Sequence, residues 1–170
     1  AFQEMASLPR LADASLSVNV SARSLVDLML PERLAQAAES SRFPLPRLVV
    51  EITESGLIKE LGKALDILAR LRLRGVGLSI DDFGTGYSSL AQLRRIPSTE
   101  LKIDRMFVND MLNDVDAHAM VEETIGLAHR LGLRVVAEGV ETAMQAQALG
   151  VAGCDFGQGY HFARPIAAAE

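Results

Sequence analysis

The chain has 170 residues, 49% of them apolar and 5% aromatic with no Trp, which suffices for one domain whose core is built from Leu, Ile, Val and Ala. A formal net charge of -5 excludes a general electrostatic pull on nucleic acid, and an anionic ligand would need a cation as intermediary. The single cysteine, Cys154, excludes an internal disulfide, and no apolar run approaches roughly 18 residues, so the chain reads as soluble and cytoplasmic, with no membrane segment.

Strand-like and helix-like segments alternate along the chain. The opening AFQEMASLPRLADA reads as the tail of a helix with no strand before it. LSVNVS, from Leu16, is a β-rich run, and a helix is expected from Pro31 to Ser41 because proline suits a first turn. LVVEIT is the next strand. In KELGKALDILARLRLRG, Leu61, Leu65, Leu68 and Leu71 fall at helical spacing, and Gly75 reads as the stop. VGLSID is a strand, followed by a short helix over SSLAQLRRI with Ser88 as its cap. TELKID is a strand, Val115 to Leu131 a helix with Met120, Thr124, Ile125, Ala128 and Leu131 inward, and LRVVAEG a strand. ETAMQAQAL is a helix stopped at Gly150, and the last strand lies around CDFGQGY. Strands apolar on both faces, alternating with helices, point to a parallel α/β sheet. A closed eight-stranded α/β barrel takes about 250 residues. Six strands fall short of it by about two βα units, which favours an N-terminally truncated barrel over an open doubly wound sheet.

Active sites of parallel α/β folds form at the C-terminal ends of the strands. There the six strands offer Asn19, then Glu51 with Glu54, then Asp81 and Asp82, then Lys102 and Asp104, then Glu138, then Gln158. Each has a bland alternative: a turn residue for Asn19, an exposed strand position for Glu51, a helix cap for Asp82, loop amides for Glu138. Six such coincidences at one end of one sheet favour a site. Oxygen donors without a His or Cys suit a hard cation, Mg²⁺ or Mn²⁺. Adjacent Asp81 and Asp82 suit two metals about 3.5–4 Å apart, which would activate water and stabilise a phosphoryl leaving group. Lys102 would orient or deprotonate that water, or neutralise phosphate. His118, His129 and His161 fit no metal spacing and read as solvated or packing residues, and Cys154 as core rather than nucleophile. The DFG tripeptide lacks the other kinase signatures, and FGTG is not a P-loop.

The segments SVNVSARSL, EITES, IDDFGTGYSSL, LKIDRMFV, VVAEGVET and QGYHFARP together resemble the EAL domain family of cyclic di-GMP phosphodiesterases, over essentially the whole chain. The resemblance implies a single EAL domain over 1–170, incomplete at its N-terminus. The implied fold is a TIM-like (β/α) barrel with one antiparallel strand, about six of its eight strands present. It implies hydrolysis of cyclic di-GMP to linear pGpG with Mg²⁺ or Mn²⁺ in a two-metal site, Ca²⁺ being inhibitory. Asn19, Glu51, Asp81, Asp82 and Glu138 match metal ligands, Glu138 holding a metal or its water. Lys102 matches the lysine on the nucleophilic water, Gln158 a support for that water, and Glu54 the anchor of the DFGTGYSS loop. Asp104, Arg164 and Pro165 lie in motifs near the substrate. It further implies a homodimer and receiver, PAS or GGDEF partner domains.

The Glu-Ala-Leu tripeptide that names the family is absent from the 170 residues. The expectation is therefore little hydrolytic activity from these residues alone, with a non-catalytic cyclic di-GMP receptor or interaction module as the alternative.

Overall fold

The structure is a computed structural model that describes residues 14–85 and 89–166, with only the backbone of 58 and 59. The expected helix tail at the N-terminus lies outside the described residues. The chain divides into two compact units. The first holds Ala1–Ser79, Ser88–Pro97 and Ile166–Glu170, and the second holds Ile80–Tyr87 and Ser98–Pro165.

In the first unit, β1 (Leu16–Asn19) alternates half-buried and exposed positions, whereas β2 (Leu48–Thr53) is buried at all but its last residue. The two run parallel, with Leu16 opposite Leu48 and Asn19 opposite Glu51. Helix α1 (Leu30–Ser40) carries Pro31 in its first turn, where the missing N–H costs nothing. Helix α2 (Glu54–Leu73) starts five residues earlier than the sequence suggests, directly at the end of β2. It buries Leu57, Leu61, Ala64, Ile67, Leu68 and Leu71 at three- and four-residue steps, one apolar stripe of a 3.6-residue period. Each such Leu or Ile side chain contributes about 1.5–3 kcal/mol by leaving water. Glu32 of α1 accepts from Arg70 at 2.8 Å and from Arg74 at 2.7 Å, which fixes α1 against α2.

Strand β3 (Gly77–Phe83) begins in the first unit and ends in the second, reaching two residues beyond the expected VGLSID. In the second unit, β4 (Glu100–Ile103), β5 (Arg134–Glu138) and β6 (Phe156–Gln158) pair in parallel, with Lys102 opposite Val136 and Glu138 opposite Gln158. Strand order follows chain order from β1 to β6, as expected for successive βα units.

Helix α3 (Leu90–Leu93) is a single turn, shorter than the sequence pattern suggests. Its cap is Ser89, in a reciprocal box with Gln92, rather than Ser88, which lies outside the described residues. Helix α4 (Arg105–Asp110) is missed by periodicity because it is too short for one, and Asp104 caps it by accepting from the Met106 N–H at 2.7 Å. Helix α5 (Val115–Arg130) buries Ala117, Val121, Thr124, Ile125 and Ala128, while Met120 and Leu131 are only half-buried. Helix α6 (Ala143–Val151) runs through Gly150, contrary to the expected stop there. The chain leaves it at Gly153, whose φ of +85° is a left-handed conformation that glycine adopts without steric cost. Among the described residues, no helix is long and apolar enough to cross a membrane.

Candidate metal centre

The second unit brings four of the expected residues into one cluster. Asp81 and Asp82 stand on β3, Lys102 in β4 and Glu138 at the end of β5. Asp81, Asp82 and Glu138 each offer a carboxylate oxygen, and these oxygens lie within 4.8 Å of one another. Lys102, 4% exposed, points its ammonium between them, with Nζ 3.2 Å from Asp81 Oδ1 and 2.5 Å from Glu138 Oε1. Leu101 and Ile103 on either side are also buried, so Lys102 is a charge within an otherwise apolar end of β4.

Negative charge remains in excess around this lysine. Burial, the neighbouring Asp81 and Asp104 charges and a hydrogen bond with Asp104 push the Asp82 carboxyl above its ordinary range, and Lys102 offsets this only in part. Hard oxygen donors, no imidazole or thiolate among them, and surplus negative charge are what Mg²⁺ or Mn²⁺ requires. The donor set therefore fits such an ion.

The first unit holds Asn19, the last residue of β1, and Glu51, the fourth of β2, as register partners, with Glu51 7% exposed, which rules out the reading of Glu51 as an exposed strand position. Glu54 opens α2 and is 3% exposed. Gln158 is exposed on β6, and its carbonyl accepts from the Val140 N–H at 3.0 Å. Asp104 caps α4 and also hydrogen-bonds Asp82, so it borders the cluster. Arg164 lies over the Tyr160 ring at 5.1 Å, and Pro165 is exposed beside it.

The histidines join no metal cluster among the described residues. His118 contacts the Met111 carbonyl and Glu122, His161 meets Phe162 edge-on, and His129 Nε2 lies 2.9 Å from Asp155 Oδ2. The Cys154 thiol is pushed up by burial, which suits a packing residue.

A family model described as the EAL domain matches residues 1–165. The chain belongs to the EAL domain family. It is 42% identical over 159 residues to the bifunctional diguanylate cyclase/cyclic di-GMP phosphodiesterase MucR of Pseudomonas aeruginosa, covering 94% of this EAL chain and 23% of the relative. A solved structure described as the PaMucR phosphodiesterase in complex with c-di-GMP matches with a TM-score of 0.93 at 40% identity, covering 99% of this chain and 69% of that one. A Klebsiella pneumoniae BlrP1 structure described as a manganese/cy-diGMP complex at pH 9.0 matches with a TM-score of 0.88 at 31% identity, covering 95% and 42%. The fold class is accordingly the TIM-like α/β barrel of the EAL enzymes, of which the described residues supply six strands. The chain spans only about a quarter of the length of its curated relatives.

Proposed function

We propose that the 170 residues form part of one EAL domain that hydrolyses cyclic di-GMP to linear pGpG with Mg²⁺ or Mn²⁺, Ca²⁺ being inhibitory. The observation that carries this reading is the gathering of Asp81, Asp82 and Glu138 oxygens around the buried Lys102, in a chain whose relatives are named cyclic di-GMP phosphodiesterases. By the family resemblance, Asn19, Glu51, Asp81, Asp82 and Glu138 are the residues that would hold the cations or their water. Bound there, the cations would supply a nucleophilic hydroxide and stabilise the leaving oxygen. Lys102 would orient the water and Gln158 would support it, and Glu54 matches the family's anchor of the DFGTGYSS loop. Asp104, Arg164 and Pro165 lie toward the substrate. A homodimer, receiver, PAS or GGDEF partner modules and a reducing cytoplasm complete the reading.

No Glu-Ala-Leu tripeptide occurs in these residues. The ligand it would supply has to come from elsewhere, and turnover by the 170 residues alone is expected to be slow. The test is incubation with cyclic di-GMP and Mn²⁺, followed by chromatography for pGpG. Product that disappears in Asp81→Asn supports the reading. Tight binding with no product makes the chain a receptor, and neither binding nor product overturns both.

A further inference from the structure

Consecutive residues of a strand point their side chains to opposite faces. Asp81 and Asp82 are consecutive in β3, yet both deliver an oxygen to the same 4.8 Å cluster. The backbone of Asp82 accounts for this. Its φ is +55°, in the left-handed region, a conformation shared by one other non-glycine among the described residues, Arg42. A side chain with a Cβ is disfavoured there, so the conformation has to be held from outside.

Thr85 makes that hold. Its N–H donates to the Asp82 carbonyl at 3.3 Å, and its hydroxyl donates to the same oxygen at 2.8 Å. Between them, Gly84 has a φ of +98°, and a Cβ on it would lie 2.8 Å from Met120 Cε and 2.9 Å from Phe107 Cε2. The turn is thereby seated closely on α4 and α5. From the other side, the Asp82 N–H donates to Asp81 Oδ1 at 3.1 Å, which links the two acids through the same backbone.

We propose that Thr85 is a positioning residue whose hydroxyl clamps the Asp82 carbonyl and so keeps two successive carboxylates of one strand in the same cation-binding cluster. The cation part rests on the function proposed above, and the backbone part does not.

Thr85→Val removes the donor at nearly constant volume, and Thr85→Ser keeps it. Thr85 is exposed, so neither variant is expected to unfold. Two readouts are taken on the 170-residue chain: the intraresidue NH–Hα Overhauser intensity of Asp82, which is strong only for positive φ, and Mn²⁺ affinity by calorimetry. The parent and Thr85→Ser are expected to show the strong cross-peak and equal Mn²⁺ affinity. Thr85→Val is expected to lose the strong cross-peak, its intensity dropping to that of negative-φ neighbours, and to bind Mn²⁺ about tenfold more weakly. A Thr85→Val chain that keeps the cross-peak overturns the positioning role. Loss of the cross-peak with unchanged Mn²⁺ affinity shows that the placement of Asp82 does not matter to the ion, and overturns the link between them. If the parent itself binds no Mn²⁺, the metal reading fails, while the cross-peak still decides the clamp.

Discussion

A buried ammonium between two carboxylates, as at Lys102, is favourable only while all three charges are present. Removing the cation leaves Asp81 and Glu138 repelling each other in a region of low polarity, and breaking a buried pair in this way typically costs about 3–5 kcal/mol. Glu138 keeps partial access to water, with its side chain 22% exposed, so Lys102→Met is expected to cost about 3 kcal/mol in metal-free urea melts. Saturating Mn²⁺ should raise the melting temperature of the variant by more than that of the parent, because an ion can replace the lost positive charge. A variant as stable as the parent without metal would show that the ion pairs contribute nothing. Glu51 was legible in the sequence as the lone charge of an apolar strand, and Lys102 by its place near the C-terminal end of TELKID. The positive φ of Asp82 was not legible, since Asp is common in turns and nothing in DDFGTG states which residue takes the left-handed conformation.

At the scale of elements, Asp155 joins three of them just before β6. Its Oδ2 accepts from the Val135 N–H at the start of β5 at 2.8 Å and meets His129 in the last turn of α5 at 2.9 Å. Partial burial opposes ionisation of this carboxyl, but the His129 and Val135 hydrogen bonds and the His129 and Arg134 charges outweigh it and hold its pKa below the ordinary value. A depressed carboxylate pKa contributes stability that is fully present above the unfolded value, about 3.9, and is lost as pH falls through the lower folded value. Asp155→Asn should therefore be less stable than the parent at pH 7 and pH 5, and the gap should close below about pH 3.9. Chemical denaturation from pH 5 downward checks it, and a gap that did not close in that acid range would contradict the sign. This joint was invisible in the sequence because its partners are 20 and 26 residues away. Long periodic helices such as α2 and α5 were legible for the opposite reason. The six-residue α4 has too few turns to show a period, and Gly150 misled because a glycine can sit inside a helix at modest cost.

For the whole chain, the balance of charge decides how a ligand arrives. On the proposed function, the ligand carries two phosphodiester charges and the chain is itself at -5. Divalent cations would then be needed to offset that repulsion. Calorimetry is expected to show cyclic di-GMP affinity falling at least about tenfold when EDTA replaces Mn²⁺ or Ca²⁺, a loss on the scale of one removed charge-assisted contact. Equal affinity in EDTA would mean that the ligand is held by the chain's own cations and that the acidic cluster serves another purpose. The strand count was readable because each βα unit repeats the same apolar run, helix and turn. The division into two compact units was not, since no linker composition marks it and β3 runs through the division.

The pairing of Lys102 with Asp81 and Glu138 has a further consequence. One amine is shared by two acids from different strands, so each acid sets the surroundings of the other through Lys102. Substitutions at the three positions are therefore expected to act as a unit, with double mutants less destabilised than the sum of the single ones.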